Sequence, residues 1–496
     1  MAYADRFSKI LQATRLDPSS GEVSALLRGL QANILEGHGR SHALHIFLRF
    51  AAKRELAARV FLQSLAARVV TTAEQQRLEA QLWRQSGGKL SGGTVGSVLL
   101  SFGGYRKLGL PDALAPDDPC FRAGMAERGG ILNDPAREGW EPPYRNVPDA
   151  MVLLADDDAD RLARLGTEAL RGLEQCGELV HVEAGTMLID ASGRKVEHFG
   201  YKDGLSQPLF FKEELLGDGA RLYDATAPLG IACIVDPLGD SPLSLGSYVV
   251  YRKLAQDVRR FRRDVAAFAN ALGLAGTREG LARAGALFLG RFTDGTPIAL
   301  HEAALGDRGA TNDFDASSDP PGDRCPKAAH TRRMNPREAK AQSTQSGRPA
   351  ERPARIVRRG IPYGPVLPLH DLTAQLESSR AARETGRSAD EVARESERGL
   401  LFLGYQADIS AQFETLQRRA NGADGSPFDP VAGQVAAGKE PIAQDWPKRW
   451  GESGGAKASF AAGGWVSLRG GGYFFAPSIA FLRSIGNLVV PGAYGA

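Results

Sequence analysis

Apolar and polar residues follow an ordered series of spacings along the first half of the chain. Strict alternation predicts a half-buried strand, whereas apolar residues three or four positions apart predict a helix. These criteria predict a strand at 43–50, a helix at 51–69, strands at 94–103 and 149–156, a helix at 158–176 and a strand at 178–189. Asp158 is a suitable N-cap for the second helix. The order β-α-β-β-α-β is that of a ferredoxin-like unit.

The second half of the chain repeats this series more loosely. Strands are predicted at 246–254, 399–406 and 465–478, and helices at 255–272 and 408–419. We therefore predict an α+β protein made of two ferredoxin-like halves, residues 1–228 and residues 229–496. Two segments stand apart from this pattern. The polar stretch 339–354 is expected to be a loop, and the highly charged stretch 376–398 a solvated helix or loop insertion.

Composition narrows the class of protein. Hydrophobic residues make up 43% and charged residues 24% of the 496 positions, as in a globular protein with a sizeable core. The formal net charge of +3 is near balance, so neither a nucleic-acid partner nor a membrane surface is indicated. The first residues lack the apolar core of a signal peptide, and no apolar run approaches the roughly 18 residues of a membrane helix. We therefore expect a cytoplasmic protein.

The cysteines point to no metal site or disulfide framework. Cys120, Cys176, Cys233 and Cys325 are scattered without a C-x-x-C pair. In a cytoplasmic protein their thiols are expected to be reduced. The motif C-x-x-C-H, which attaches c-type haem covalently, is also absent from the sequence.

Candidate chemistry begins in the loop at 200–205, where the sequence GYKDGL places Asp203 between two glycines. Glycine permits positive φ and a close approach to a bound group, so such a loop can present its carboxylate to a cofactor. By itself the pattern G-x-x-D-G is typical of an ordinary turn. Two later segments add His330, within CPKAAHTRRMNPR (325–337), and Arg358, within RIVRRGIPYG (355–364). Imidazole is a standard haem-iron ligand, and an acid/base group with a cation is what splitting a peroxide O–O bond requires.

These segments belong to a longer series of motifs. The series comprises GLQANILEGHGRSHALHIFLRF (29–50), GYKDGLSQP (200–208), GSYVVYRKLAQDV (246–258), GRFTDGTP (290–297), NDFDASSDPPGDRCPKAAHTRRMNPR (312–337), RIVRRGIPYGP (355–365), GLLFLGYQADISAQFETLQ (399–417) and RGGGYFFAPSI (469–479). In this order the motifs resemble those of the DyP-type (dye-decolourising) haem peroxidases over nearly the whole chain. The RRGIPYG form of the arginine motif resembles the larger subgroup, which includes fungal and some bacterial members.

The resemblance implies a fold and an activity. The fold would be two ferredoxin-like halves of the dimeric α+β barrel type, with haem b bound non-covalently in the C-terminal half. The activity would be the oxidation of dyes, phenols and similar aromatic donors by hydrogen peroxide in one-electron steps. Two alternatives remain open: a haem-modifying enzyme (porphyrin decarboxylation or iron release) and a haem-binding protein without turnover.

Three residues match the family's reactive groups. His330 matches the axial iron ligand, Asp203 the distal acid/base, and Arg358 the distal arginine whose charge stabilises the departing oxygen. Arg359 is the rival for the arginine role, and we expect it to be structural or to contact a haem propionate. Because a carboxylate stays ionised to about pH 4, unlike an imidazole base, we expect activity to be highest in mild acid.

Other residues have candidate roles with an ordinary alternative. Leu400 and Phe402 match apolar residues of the family's distal pocket, but they are equally compatible with plain core. Arg332, with the neighbouring Arg333, is a candidate to neutralise haem propionates or is part of a solvated basic loop. Tyr363 matches a surface tyrosine through which some family members oxidise bulky dyes, or it is a packed turn residue.

The hydrogen-bond partner of the second His330 nitrogen is left open by the sequence. A ligating imidazole usually donates this N–H to a carboxylate or a carbonyl. Asp408 and Glu414, near the 399–417 motif, are candidates. His42 and His45 suggest a metal site by their proximity, but residues three apart on a strand face opposite sides.

Overall fold

The computed structural model describes residues 9–215, 222–224, 227–314, 316–335, 354–365, 397–423, 425–436 and 438–488. The loop expected at 339–354 and the charged insertion expected at 376–398 lie almost wholly outside these residues. In the part of the chain that is described, no helix has the length and apolar character needed to cross a membrane.

The first half forms a four-stranded antiparallel unit. Its strands are β1 His42–Phe50, β2 Val95–Leu100, β3 Ala150–Asp156 and β4 Gly177–Thr186, and they lie in the order β2-β3-β1-β4. This is the ferredoxin-like strand order. The central strand β1 is held by both neighbours, with His42 opposite Asp156 on one side and Thr186 on the other. A short hairpin of β5 Leu188–Ile189 and β6 Lys195–Val196 then leads into the loop at 200–205.

The second half repeats the same strand order. After β7 Ile234–Val235 come β8 Leu245–Gln256, β9 Val357–Arg358, β10 Ile361–Tyr363, β11 Gly399–Gln406, the hairpin β12 Ala443–Pro447 with β13 Lys457–Ala461, and β14 Val466–Ala476. The order β10-β11-β8-β14 matches β2-β3-β1-β4 of the first half. Phe475 of β14 pairs with Leu100 of β2, which joins both halves in one ten-stranded sheet within the described residues.

The sheet curls so that its outer strands β4 and β10 meet. Gly185 of β4 lies against Ile361 of β10 so closely that a Cβ at this position would come 2.4 Å from the isoleucine side chain. A larger residue there would force the strands apart. The two halves therefore enclose a shared interior, where the aromatic rings of Phe47, Tyr144 and Tyr251 pack 5.1–5.9 Å apart.

Helices cover the outer faces of the sheet. They are α1 Gly21–Gly29, α2 Glu55–Val69, α3 Ala73–Gln85, α4 Phe102–Lys107, α5 Pro119–Ala123, α6 Gly129–Leu132, α7 Pro142–Arg145, α8 Ala159–Ala169, α9 Val258–Leu272, α10 Arg278–Leu289, α11 His330–Met334, α12 Thr415–Ala420 and α13 Ile479–Ser484. Single helical turns lie at Asp112–Leu114, Met125–Arg128, Arg137–Gly139, Leu173–Gln175, Lys212–Leu215, Leu229–Ile231, Gly306–Gly309, Ser410–Glu414 and Ile485–Asn487. A second core joins α9, α10 and the β12-β13 hairpin around Phe268, Phe288 and Trp446.

The α+β prediction with two ferredoxin-like halves is confirmed. Asp158 caps α8 by accepting a hydrogen bond from the Arg161 amide at 2.9 Å, as expected. Most element bounds differ from the sequence prediction by a few residues, and two differences have a clear local form. Helix α8 ends at Ala169, because Gly172 adopts a left-handed φ of +88° and diverts the chain. The first turn of the predicted helix at 408–419 is a π-helix, Ser410–Glu414. The division at residues 228 and 229 stays a prediction.

Candidate functional site

A cavity of about 330 Å³ lies between the outward face of β8 and β11 and the short helices α11 and α12. We call it the inner cavity. Its walls are largely apolar and include Leu254, Leu289, Phe292, Ile356, Leu400, Phe402, Phe413 and Leu416. Polar side chains interrupt this wall, among them Glu197, Asp203, Arg291, His330 and Arg358. An apolar chamber with few polar groups is the usual form of a cofactor site.

His330 begins helix α11 and faces the inner cavity. The next residue anchors the helix, because the Thr331 hydroxyl donates to the Leu289 carbonyl at the end of α10 over 2.7 Å. The His330 Nδ1 lies 2.8 Å from Oδ2 of Asp429, a carboxylate with no exposed surface. The other oxygen of Asp429 accepts from the amides of Val431 (2.8 Å) and Ala432 (3.1 Å). These bonds fix the imidazole and leave its Nε2 as the nitrogen able to bind a metal.

Asp408 and Glu414, the candidates from the sequence for the hydrogen-bond partner of His330, bind other groups. Asp408 is exposed and accepts from the Ala411 amide at the start of the π-helical turn. Glu414 is buried and binds Arg128 through both oxygens, at 2.9 and 2.6 Å. Asp429 follows Phe428 in a loop without periodicity, so no local pattern marks it as the partner of a histidine 99 positions away.

Asp203 is held at the opposite wall by backbone geometry. Gly200 and Gly204 take left-handed φ values of +93° and +80°, which an L side chain would strain. The Lys202 amide bonds the Thr293 carbonyl at 3.1 Å, and the Asp203 amide bonds the Lys195 carbonyl at 3.2 Å. The carboxylate accepts from the following Gly204 amide at 2.6 Å and borders the inner cavity. The glycines thus present the carboxylate to the chamber rather than to the protein core.

Arg358 is tied to the same loop from the other half of the chain. It lies in β9 opposite Gly404 of β11. Its Nη2 donates to the Leu205 carbonyl at 2.7 Å. Its backbone exchanges two hydrogen bonds with the Gln207 side chain, at 3.1 and 3.0 Å. These three bonds place the guanidinium beside the loop that carries Asp203.

A larger cavity of about 1050 Å³, which we call the outer cavity, shares part of this wall. The shared residues are Asp203, Gly204, Pro208, Arg358, Leu400 and Phe402. Charged residues line the rest, including Glu36, Lys195, Glu213, Glu214 and Arg359. Burial raises the pKa of Glu214 to about 7, and the negative charge of Glu36 acts in the same direction. The outer cavity is therefore polar where the inner cavity is apolar.

Three further residues with candidate roles lie outside the wall of the inner cavity. Arg332 is absent from the cavity wall, because its guanidinium is buried against the carbonyls of Cys325 (2.7 Å) and Asp319 (2.9 Å). Arg359 is half-buried and donates to the carbonyls of residues 33–35, in keeping with the structural role expected of it, and it lines the outer cavity only. Tyr363 is 7% exposed rather than at the surface, and its hydroxyl donates to Glu397 at 2.9 Å.

His42 and His45 face opposite sides of β1, as expected from their spacing. His45 is fully buried, whereas His42 is half-exposed near Thr186. Within the described residues, no group of three or more His, Cys, Asp or Glu side chains is arranged to hold a metal ion.

The inner cavity fits a haem by the chemistry of its residues. His330 offers one free nitrogen, Nε2, since Asp429 holds the other. The apolar side chains of β8, β11 and α12 match a flat apolar ring. Arg291, which also lines the cavity, adds a buried positive charge suited to carboxylate substituents of such a ring.

Comparison with known proteins identifies relatives along nearly the whole chain. The multifunctional dye peroxidase DyP2 of Amycolatopsis sp. is 37% identical over 486 residues, which cover 94% of this chain and 97% of that protein. The dye-decolorizing peroxidase msp1 of Mycetinis scorodonius is 28% identical over 79% of this chain and 76% of its own length. No protein-family model matches the sequence.

Solved structures agree with this relationship. The DyP-type peroxidase AnaPX of Anabaena sp. superposes with a TM-score of 0.84 at 34% identity, over 96% of this chain and 99% of its own. The structure of Amycolatopsis DyP2 superposes with a TM-score of 0.82 at 35% identity, over 96% and 99% of the two chains. With a relative of 37% identity along almost its full length and the same fold, this chain belongs to the DyP-type (dye-decolourising) peroxidases, haem-dependent oxidoreductases that act on hydrogen peroxide.

Proposed function

We propose that the protein is a haem b peroxidase in which His330 is the axial iron ligand, Asp203 the distal acid/base and Arg358 the charge-stabilising residue. The observation that supports this best is the position of His330 and of the Asp203–Arg358 pair in the wall of the same cavity. They come from three separate parts of the sequence. The substrates would be hydrogen peroxide and aromatic donors such as dyes and phenols.

The haem would be held without a covalent bond. The axial bond would come from His330, and the ring would lie against Leu400, Phe402 and the other apolar side chains of the inner cavity. When bound, the haem supplies a redox centre that accepts two oxidising equivalents from peroxide and passes them on singly. The bond from Asp429 to Nδ1 makes the His330 imidazole a stronger electron donor.

Asp203 would move the proton that peroxide cleavage requires. Its carboxylate takes a proton from one peroxide oxygen and returns it to the other, which leaves as water. Arg358, held at the Leu205 carbonyl, stabilises the negative charge that develops on the leaving oxygen. Two aromatic donors then each supply one electron, so that one peroxide and two protons give two water molecules in total.

The outer cavity is the proposed route for peroxide and small donors. It meets the inner cavity at Asp203, Arg358, Leu400 and Phe402. A molecule that moves inward would pass the carboxylate and the guanidinium first. Leu400 and Phe402 would then limit the water that reaches the reacting oxygen atoms.

The test is Asp203→Asn, mixed in its haem-loaded form with one equivalent of peroxide in a stopped-flow spectrometer. Because general acid–base catalysis contributes about 10²–10⁴-fold, we expect the change in the haem spectrum to slow by at least 100-fold at acid pH. Asp307→Asn, an exposed aspartate outside both cavities, is the matched control and should react like wild type. A wild-type rate in Asp203→Asn at acid pH would contradict the assigned role.

The same experiment separates the alternative functions. A haem-modifying enzyme would alter the porphyrin or release iron, which the spectrum and mass of the extracted pigment reveal. A haem-binding protein without turnover would show haem binding but no rapid reaction with peroxide. Either result would overturn the peroxidase proposal.

A further inference from the structure

A second carboxylate, Glu197, lines the inner cavity six positions before Asp203. Its Oε2 accepts hydrogen bonds from the Phe199 amide at 2.9 Å and from the Gln256 side chain at 2.6 Å. Its Oε1 accepts from the Tyr201 amide at 3.1 Å. The Glu197 side chain therefore accepts hydrogen bonds from two backbone amides near the loop and from one side-chain amide of strand β8.

The backbone of Glu197 completes the same turn. Its carbonyl accepts from the Gly200 amide at 2.8 Å, and its amide donates to the Tyr201 carbonyl at 3.2 Å. The ring of Phe199 stacks on Phe261 of α9 with centroids 4.3 Å apart, and Tyr201 is buried. Asp203 follows two residues later, so the position of its backbone depends on this turn.

Burying an ionisable carboxyl group at position 197 costs free energy that a purely structural role would not require. Burial raises the pKa of Glu197 to about 7, although its three N–H donors act in the opposite direction. The charge of Asp203 on the same loop raises it further. Tyr201 also interacts with Glu197 electrostatically, whereas β8 contributes the neutral Gln256 and α9 the apolar Phe261. A neutral side chain would hold the turn without this cost.

Gln256 can bond to Glu197 in either protonation state of the carboxyl group. Its Oε1 is buried without a hydrogen-bond partner among the described residues. A protonated Glu197 can donate to this oxygen once the amide rotates, so both protonation states find a partner on Gln256.

We propose that Glu197 is the positioning residue for Asp203, holding the catalytic loop on β8 and, by its change of charge, limiting the reaction above neutral pH. In mild acid Glu197 is neutral and adds no negative charge beside the loop that carries Asp203. At higher pH the two carboxylates repel each other and the Asp203 side chain moves away from its working position. The proposal rests on the role of Asp203 given above.

Two variants separate the parts of this proposal. Glu197→Gln keeps a hydrogen-bonding side chain that is neutral at every pH. With its amino group toward Gln256 Oε1, its oxygen still accepts from the Tyr201 amide, whereas the Phe199 amide loses its acceptor. Glu197→Ala removes the side-chain acceptors for Phe199, Tyr201 and Gln256. Glu197→Gln tests the effect of the negative charge at position 197, and Glu197→Ala tests whether the side chain fixes the loop that carries Asp203.

The first measurement is hydrogen–deuterium exchange of the peptide 197–205 by mass spectrometry, with and without bound haem. We expect faster exchange in Glu197→Ala, confined to this peptide, because its amides lose their acceptor. Exchange in Glu197→Gln should rise less than in Glu197→Ala, because only the Phe199 amide loses its acceptor. Wild-type exchange in Glu197→Ala would overturn the positioning role, whatever the activity of the protein.

The second measurement is the rate of reaction with peroxide as a function of pH. Because a displacement of about 1 Å costs about 100-fold, Glu197→Ala should be slower by about 10–100-fold at every pH. We expect the wild-type rate to decline around pH 7 and Glu197→Gln to lose this decline. If both variants kept the wild-type pH profile and only melted at lower temperature, Glu197 would be merely structural.

Asp203→Asn distinguishes the failure of this inference from that of the proposed function. A wild-type rate in Asp203→Asn removes the role of Asp203, whereas the exchange data still decide whether Glu197 holds the loop. If Glu197→Ala did not fold, the pH profile of Glu197→Gln would decide alone, and an unchanged decline near pH 7 would contradict the proposal.

Discussion

Replacing Asp429 with asparagine tests the electronic support of His330. The carboxylate is fully buried and lies 2.8 Å from Nδ1 of His330. Asparagine has nearly the same shape and retains one oxygen, which can still accept from the amides of Val431 and Ala432. Its amino group cannot accept the imidazole N–H, so the charge-assisted hydrogen bond is lost.

The size of the effect follows from the type of bond. Removing such a hydrogen-bond partner of a metal ligand costs about 10–100-fold in activity or metal affinity, or about 1.4–2.7 kcal/mol. If the variant binds ferric haem iron more weakly and ferrous iron equally well, each tenfold loss of ferric affinity raises the potential of this one-electron couple by about 59 mV. We therefore expect the midpoint potential of the bound haem to rise by about 60–120 mV in Asp429→Asn.

The assay is a spectroelectrochemical titration of the haem-loaded protein, followed by stopped-flow mixing with peroxide. Asp408→Asn is the control, because Asp408 is exposed and caps a helical turn instead of binding His330. The control should keep the wild-type potential. If Asp429→Asn bound haem normally and kept both the wild-type potential and the wild-type rate, Asp429 would not tune His330 and the reasoning would be wrong.

Three further predictions concern the loop, a buried ion pair and the pH dependence of stability. In Gly285→Ala the new methyl group would lie 2.1 Å from the Tyr201 hydroxyl, so the catalytic loop should shift and the peroxide reaction slow by up to about 100-fold in stopped flow; a wild-type rate would contradict this. Glu414→Gln removes the charge bound by both nitrogens of Arg128 and should lower the free energy of unfolding by about 1.5–3 kcal/mol, which denaturant titration measures against wild type. The folded pKa of Glu214, about 7, lies above its ordinary value of 4.5, so its stabilising contribution is full below pH 4.5 and is lost as the pH rises through 7. Wild type should therefore lose up to about 3 kcal/mol relative to Glu214→Gln between pH 4.5 and 8, and parallel stability curves would refute this assignment.

Much of the fold was predictable from local patterns. Strand β11 has the predicted bounds, 399–406, because its apolar run is continuous and ends at polar residues. Strand β10 was missed, since Ile361–Tyr363 is too short for a period to appear and is a strand only because it pairs with β11. The contact of β4 with β10 was also not predictable from local sequence. It depends on the lack of a side chain at Gly185, which leaves room for the neighbouring strand.

The site residues divide in the same way. Family motifs placed His330, Asp203 and Arg358, and the structure brings these three to one cavity. For Arg332 and Tyr363 the sequence left two alternatives open, because it cannot tell which side of a loop or strand is covered by other segments. The Arg332 guanidinium binds carbonyls of its own loop, and Tyr363 is buried with its hydroxyl bonded to Glu397.

The sequence by itself determined the order of strands and helices, the two-fold repeat of the ferredoxin-like unit and the residues able to do the chemistry. These properties are local, because periodicity and motifs are carried by neighbouring positions. Only the tertiary structure decided that Asp429 supports His330 and that Glu197 binds Gln256 beside the Asp203 loop. The two residues of these pairs are 99 and 59 positions apart. They meet only when the sheet packs against its helices, and this packing depends on residues from the whole chain.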